Sequence, residues 1–110
     1  MKVLFDECIP APLLAYLVED EAATAQMVGW GRLRNGDLLR KAEGVFDAFV
    51  TADQNLKYQQ NLTSRKLAII QLPTNHWPTL ERHAKWIAAQ IKALKPGDYI
   101  ELDLQDSWCA

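Results

Sequence analysis

The sequence predicts a three-layer α/β sandwich around a mainly parallel central sheet. The apolar run at residues 3–5 does not alternate in polarity, as is typical of a strand that is buried on both faces, and residues 67–72 form another clear strand. Segments with helical patterns separate the predicted strands, and this alternation favours parallel strands joined by crossover helices. The chain of 110 residues has the size of one domain, so we predict a single domain over residues 1–110.

The first strand and the first helix are predicted near the start of the chain. Residues 3–5 form an apolar strand. Pro10 and Pro12 then suit the first turn of a helix that continues to Leu17, because the nitrogens of a first turn need no partner within the helix. Residues 22–25 are predicted as a short second strand, although alanine is a weak strand former.

A second helix and a third strand follow a loop that contains glycine. Asn35 is a favourable N-cap, and Asp37 in the first turn suits the positive end of the helix dipole. Gly44 is expected to end this helix, since glycine readily adopts the left-handed conformation common after a helix. The strand at residues 46–51 comes next and ends in two β-branched residues.

The second half of the chain is predicted to contain two helical segments and two strands. Residues 55–60 are polar and helical, and residues 67–72 form the strand that precedes Pro73. Residues 77–94 form the longest predicted helix, because their apolar side chains recur every three or four positions. Residues 99–104 alternate between polar and apolar side chains, which indicates a half-buried strand at a sheet edge.

The composition is that of a globular domain and argues against several classes of protein. Hydrophobic residues make up 49% of the chain and charged residues 24%, which disfavours a disordered or fibrous chain. No apolar run approaches the ~18 residues of a membrane span, and the N-terminal segment lacks the apolar core of a signal peptide. We therefore expect a cytoplasmic protein with no membrane partner.

The net charge of −2 is nearly neutral, but the charged residues are unevenly distributed. Residues 1–56 hold five basic and nine acidic side chains, whereas residues 57–97 hold seven basic and one acidic. An acidic site beside a basic rim would suit a metal-dependent enzyme that acts on a polyanion. On charge alone, the simpler interpretation is that the basic segment is the solvated face of a helix.

Three acids are expected to meet at the carboxyl edge of the sheet, where open parallel sheets bind ligands. Asp6 follows the first strand, Asp53 follows the third, and Asp37 begins the second helix. Carboxylates that converge without a basic partner are usually held by a hard cation, so the pattern predicts Mg²⁺ or Mn²⁺. Such an ion activates water and stabilises a phosphoryl transition state. Glu7 and Glu43 are candidate supplementary ligands.

Each of these acids also has a structural interpretation. Asp6 could cap the helix that follows it, and Asp53 could cap the segment at residues 55–60. Asp37 occupies a position where any helix favours an acid, so its structural and catalytic interpretations carry equal weight. Two acids at the same predicted edge are stronger evidence for a site than either acid alone.

Several segments resemble a family of short bacterial PIN-like proteins. The opening segment, MKVLFDECIP, resembles the first strand of that family and the Asp-Glu-Asn and proline that follow it. The block TADQNL at residues 51–56 is the most specific match, and YQQN at residues 58–61 follows it. GW at residues 29–30, NGDLL at residues 35–39 and NHWP at residues 75–78 extend the likeness over most of the chain.

This resemblance implies a PIN-like, Rossmann-like fold related to ribonuclease toxins of the virulence-associated protein C type. Such proteins cut RNA with Mg²⁺ or Mn²⁺ held by acids at the sheet edge, and many are paired with an antitoxin that blocks the site. By position, Asp6, Asp37 and Asp53 match the acids of the family, while Cys8 stands where the family often has asparagine. The fourth acid typical of PIN ribonucleases has no clear counterpart. Asn55 is the best neutral replacement, and Asp103 is the weaker alternative.

Polar and basic side chains that follow Asp53 are predicted to contact RNA. Amides can hydrogen-bond phosphates or bases, and lysine and arginine add salt-dependent affinity. For each of them a solvated surface is the alternative, and the resemblance favours the functional interpretation of the amides. The predicted contacts are Lys57, Gln59, Gln60, Asn61 and Arg65, with Lys66 as a further phosphate contact.

The sequence therefore favours a metal-dependent endoribonuclease, with the toxin of a type II toxin–antitoxin pair as its expected role. RNA, an antitoxin protein and a second copy of the chain are its expected partners. One alternative is a signalling receiver domain phosphorylated at Asp53, although the Lys95-Pro96 pair follows a helix instead of a strand. The other alternative is a PIN-like binding module with a degenerate catalytic site, which the missing fourth acid suggests.

Overall fold

The computed structural model describes residues 1–17, 20–33, 35–54 and 66–104. In these residues the sheet consists of β1 (Lys2–Phe5), β2 (Glu21–Thr24), β3 (Ala48–Thr51), β4 (Ala68–Gln71) and β5 (Tyr99–Glu101). Every pair of neighbouring strands is parallel, and their order across the sheet is β2-β1-β3-β4-β5. The predicted α/β fold with a mainly parallel sheet is therefore confirmed.

Helices connect successive strands of this sheet. A 3₁₀ helix (Ala11–Leu17) lies between β1 and β2, and α1 (Asn35–Ala42) lies between β2 and β3. Gly44, with φ of +85°, follows α1 as predicted. Two further helices, α2 (Trp77–Glu81) and α3 (Ala84–Lys92), lie between β4 and β5. Within the described ranges, none of the helices has the length and apolar character needed to cross a membrane.

Two clusters of buried side chains separate the layers of the fold. Successive side chains of a strand point to opposite faces of the sheet. Phe5 and Val50 pack with the 3₁₀ helix, α2 and α3, whereas Leu4 and Phe49 pack with α1 on the other face. Helices therefore cover both faces of the sheet, which gives the three layers that the sequence predicted.

The helix predicted over residues 77–94 is two helices in the structure. Between them the backbone N–H of His83 donates to the carbonyl of Leu80 at 3.0 Å, which closes a tight turn of the 3₁₀ type. Ile87 then donates to the carbonyl of His83 at 2.8 Å, in the first turn of α3. Leu80 and the inward residues of α3 still belong to one buried cluster. The prediction of the buried face was therefore correct, and the prediction of one continuous helix was wrong.

The last strand lies at one edge of the sheet, as its alternation predicted. Tyr99 packs on the face covered by α1, and Ile100 packs on the opposite face. The strand ends at Glu101, earlier than predicted. The helix predicted after Pro10 is present as a 3₁₀ helix, and the helical segment predicted at residues 55–60 lies outside the described residues.

The strand order places a switch point between β1 and β3. The chain leaves β1 towards β2 on one side, and it leaves β3 towards β4 on the other side. The connections diverge there, and open α/β sheets bind ligands in the crevice that this divergence leaves at the carboxyl ends of the strands. Asp6 follows β1 directly and Asp53 lies just beyond β3, so both acids belong to the switch point.

Candidate functional site

The carboxyl ends of β1, β3 and β4 border an open cleft of about 510 Å³. Asp6 lines this cleft from the end of β1, and Asp53 lines it from the loop after β3. The structure therefore brings these two predicted acids to one place. The residues that line the cleft are Asp6, Glu7, Cys8, Ala52, Asp53, Gln54, Pro73, Thr74 and Asn75.

Asp6 is buried, with 7% of its surface exposed, and its carboxylate is held by three donors. Its Oδ1 accepts a hydrogen bond from the backbone N–H of Glu7 at 2.8 Å. Its Oδ2 accepts one from the hydroxyl of Thr51 at 2.8 Å and a weaker one from Cys8 Sγ at 3.6 Å. A buried carboxylate requires such donors because it has lost most of its water. None of these donors belongs to the 3₁₀ helix, so these contacts do not cap that helix.

Thr51 links the two acids through one hydroxyl group. This hydroxyl donates to Asp6 and at the same time accepts the backbone N–H of Asp53 at 3.0 Å. The side chain is 0% exposed, so water does not compete for either bond. Thr51 thereby positions both the Asp6 carboxylate and the loop that carries Asp53. The sequence prediction had Thr51 at the end of a strand and in the TADQNL block, but it gave the hydroxyl no role. The missed signal was a hydroxyl placed between an apolar strand and an acid.

Cys8 is a neutral neighbour of the Asp6 carboxylate. Burial raises the pKa of its thiol above the ordinary value of 9.0, and the negative charge of Asp6 raises it further. A hydrogen bond from the Ala52 backbone acts in the opposite direction and is outweighed. The thiol is therefore protonated at neutral pH and can donate to Asp6. It supplies a weak donor to this buried carboxylate.

A series of hydrogen bonds connects the loop after β3 to β4 and β5. The hydroxyl of Tyr99 donates to Gln71 Oε1 at 2.8 Å, and Gln71 Nε2 donates to Gln54 Oε1 at 3.0 Å. Gln54 Nε2 in turn donates to the carbonyl groups that follow β3 and β4, at 3.2 and 2.9 Å. Gln71 is 5% exposed. Gln54, the residue next to Asp53, is thus anchored to the buried amide of Gln71. Each group in this series of hydrogen bonds has a defined role as donor or acceptor.

The described lining of the cleft contains acidic side chains and no lysine or arginine. In the part of the chain that the structure describes, no group of three or more His, Cys, Asp or Glu side chains could hold a metal ion together. Mg²⁺ in proteins is commonly bound by only one or two carboxylates, with water and substrate phosphate as its other ligands. The oxygen donors of Asp6 and Asp53 therefore fit a hard divalent cation.

Two predicted acids are not among the residues that line the cleft. Asp37 is exposed in the first turn of α1, where its carboxylate pairs with Arg40. Glu43 lies at the opposite edge of the sheet, where it accepts the backbone N–H groups of Lys66 and Leu67 at 2.9 and 3.2 Å. Glu43 thus lies away from the two acids of the switch point. Both Glu43 and Asp37 have a structural contact, and the place of Asp37 in the site stays a prediction.

The other predicted site residues divide into three groups. Glu7 lines the cleft, as expected of a supplementary ligand. Lys66 lies at the amino edge of the sheet, away from the cleft. The remaining residues lie outside the described residues: Asn55, Lys57, Gln59, Gln60, Asn61 and Arg65. Apart from these three groups, the sequence prediction missed Thr74 and Asn75, which line the cleft from the loop after β4.

No family model, curated protein or solved structure matches the chain. The geometry of the cleft is therefore the basis on which a function can be assigned. Its distinguishing features are two acids that follow neighbouring parallel strands and the buried hydroxyl of Thr51 that joins them.

Proposed function

We propose that the chain is a metal-dependent endoribonuclease with a PIN-like fold that uses Mg²⁺ or Mn²⁺. The observation that carries the proposal is the pairing of Asp6 and Asp53 at the switch point, related to each other by the hydroxyl of Thr51. Two acids that line the same cleft supply the carboxylate oxygens that a hard divalent cation prefers as ligands. The resemblance to PIN-like ribonucleases supplies the substrate class, which is RNA.

Asp6 and Asp53 would hold the ion, and Glu7 is the third acid among the described residues of the cleft lining. A bound Mg²⁺ or Mn²⁺ lowers the pKa of water and offsets the charge that develops on a phosphodiester during in-line displacement. The contribution of the chain is to orient the acids. Glu7 N–H and the hydroxyl of Thr51 each engage a different oxygen of Asp6, so the carboxylate cannot rotate without breaking a bond.

RNA would approach the cleft along neutral and basic groups. Thr74 and Asn75 form a neutral polar border of the cleft that suits hydrogen bonds to ribose or bases. The segment at residues 57–65 follows Asp53 closely in sequence and carries the predicted contacts, including Lys57 and Arg65. Positive charge there would offset the repulsion between phosphates and the acidic cleft. Asp37 and Asn55 remain predicted members of the site.

A toxin of a type II toxin–antitoxin pair is the biological role that we propose for this activity. An antitoxin that covers the cleft is then the predicted protein partner, and a second copy of the chain is the other. A PIN-like module that only binds a partner would share the fold without the chemistry. Cleavage of RNA and binding of Mn²⁺ distinguish these two roles directly.

A receiver domain phosphorylated at Asp53 is the second candidate function. The observed strand order is also that of receiver domains, which favours this alternative. Receiver domains resemble this chain in the acids after the first strand and carry a lysine beyond the fifth. Here Lys95 and Pro96 precede β5 and line a cavity at the amino edge with Glu43. The only lysine of that motif is thus at the far end of the sheet from Asp53, so this candidate ranks second.

The experiment that tests the proposed function is cleavage of single-stranded RNA with Mn²⁺ by the wild type, Asp6→Asn and Asp53→Asn. Both substitutions remove a carboxylate charge at constant size and should abolish cleavage. Asp47→Asn is the matched control, because Asp47 is an exposed acid at the opposite edge of the sheet. Circular dichroism establishes that each variant is folded. Full cleavage by both cleft variants, or equal loss in the control, would refute the assignment.

A further inference from the structure

A second cavity lies at the opposite edge of the sheet from Asp6 and Asp53. It has a volume of about 450 Å³ and is bordered by the end of α1 and by the segments that precede β3, β4 and β5. This volume is in the range of sites that bind small molecules. The apolar wall of the cavity consists of Met1, Val45, Phe46, Leu67, Leu94 and Pro96.

This apolar wall is accessible and already formed. Met1 is 41% exposed and Val45 is 51% exposed, and in the described ranges only Met27 is another large hydrophobic residue with such exposure. Phe46 is held edge-to-face by Trp30, with ring centroids 5.8 Å apart. Exposed apolar side chains that gather around a formed cavity indicate a binding site.

The acidic and basic groups around this cavity are not paired with one another. The carboxylate of Glu43 accepts two backbone N–H groups just before β4, at 2.9 and 3.2 Å, and Asp47 accepts one from β1 at 2.7 Å. Neither Lys66 nor Lys95 forms a salt bridge with any carboxylate in the described part of the chain. Glu43 and Asp47 keep their negative charge, but their carboxylates already accept backbone N–H groups. The ammonium groups of Lys66 and Lys95 have no carboxylate partner among the described residues, so they are the groups with which an anionic ligand could pair.

We propose that this cavity binds a small amphipathic anion, namely a carboxylate on an unbranched hydrocarbon body. The hydrocarbon would cover the exposed parts of Val45 and Phe46, and the carboxylate would pair with Lys66 and Lys95. A neutral alcohol of the same length would lack the pairing, and an alkyl cation would meet the lysines as like charges. The site is distinct from the acidic cleft and does not depend on the nuclease function.

A ¹H–¹⁵N correlation titration of the full chain with octanoate, octanol and octyltrimethylammonium tests this proposal. Octanoate should shift the amide signals of Val45, Phe46 and Leu67. It should bind about 5-fold more tightly than octanol, because two partly exposed ion pairs each contribute a modest factor. The ammonium compound should bind more weakly than octanol.

The double substitution Lys66→Met and Lys95→Met should remove the preference for octanoate over octanol. Lys92→Met is the matched control, since Lys92 is an exposed lysine of α3 that does not line the cavity. The control should keep the preference, and thermal unfolding establishes that both variants are folded. The absence of shifts with octanoate, equal affinity for the three probes, or a retained preference in the double variant would overturn the proposal.

Discussion

Replacing Thr51 with valine would remove the buried hydroxyl that links the two acids of the cleft. Valine has nearly the shape of threonine, so the packing of this 0% exposed side chain should be retained. The change deletes the donor to Asp6 Oδ2 at 2.8 Å and the acceptor of the Asp53 N–H at 3.0 Å. One substitution therefore tests whether this hydroxyl positions both acids.

The metal-free protein should lose about 2 kcal/mol of unfolding free energy. A hydrogen bond to a charged group contributes ~1.5–3 kcal/mol and a neutral one ~0.5–1.5 kcal/mol, while the added methyl group returns about 1 kcal/mol. For a domain of this size the loss corresponds to a decrease in Tm of roughly 8 °C. The affinity for Mn²⁺ should fall by about 10-fold or more, as is common when a partner of a metal ligand is removed.

Urea unfolding without metal measures the first effect, and calorimetric titration with Mn²⁺ measures the second. Thr51→Ser is the matched control, because serine keeps the hydroxyl and loses only the methyl group. We expect the serine variant to be less stable than the wild type and to retain its Mn²⁺ affinity. Wild-type Mn²⁺ affinity in the valine variant would refute the positioning role of the hydroxyl. An equal loss of Mn²⁺ affinity in the valine and serine variants would refute it as well.

Three further substitutions test other contacts of the fold. Tyr99→Phe removes the hydroxyl that donates to Gln71 and should lower the free energy of unfolding in urea by about 1 kcal/mol. Tyr16→Phe is the control and should cost less, because Tyr16 packs through its ring. Equal losses in the two variants would argue against the series of hydrogen bonds that begins at Tyr99. Burial raises the pKa of Cys8, so the folded protein keeps the thiol proton that the unfolded chain loses above its ordinary pKa of 9.0. This contribution to stability is complete below pH 9 and is lost as the pH rises through the raised pKa. The free energy of unfolding in urea should therefore fall less between pH 8 and alkaline pH in Cys8→Ala than in the wild type. Parallel pH profiles of unfolding free energy in the two proteins would contradict the raised pKa. Glu43→Gln should lower stability by about 1–2 kcal/mol and leave Mn²⁺ affinity unchanged, since Glu43 serves two backbone N–H groups at the other edge; weaker Mn²⁺ binding would contradict its placement.

The features that depend on local pattern could be predicted from the sequence. Parallel strands are covered on both faces, so the unbroken apolar run at residues 3–5 predicted β1. The chain leaves every parallel strand at the same edge, and this predicted that Asp6 and Asp53 would lie together. Alternating polarity likewise predicted the edge position of β5.

The features that were missed depend on contacts between distant segments or on small differences in local geometry. The hydrogen bond between Thr51 and Asp6 joins residues 45 apart, and no local pattern contains it. Glu43 lies between the end of α1 and the start of β3, so the predicted parallel topology already placed it at the amino edge, away from Asp6 and Asp53. Its contacts with backbone N–H groups of a segment 23 residues away are outside any local pattern. The turn at His83 leaves the buried stripe intact, so the apolar period could not reveal the break between α2 and α3.

The same limit applies to Asp37. An acid in the first turn of a helix satisfies both a structural and a catalytic pattern, so the sequence left the two interpretations equal. The partner that separates them, Arg40, lies three residues later on the same helix face. This contact favours the structural interpretation, and the catalytic one stays a prediction.

The central claim is that Asp6 and Asp53 share one divalent cation, and calorimetric titration with Mn²⁺ tests it most directly. The wild type should bind one Mn²⁺ per chain, and so should Asp47→Asn. Asp6→Asn and Asp53→Asn should each lose this binding, and the double variant should be no worse than either single variant, because one shared site is already lost. A wild type that binds no Mn²⁺, or an Asp53→Asn variant with wild-type affinity, would contradict the claim.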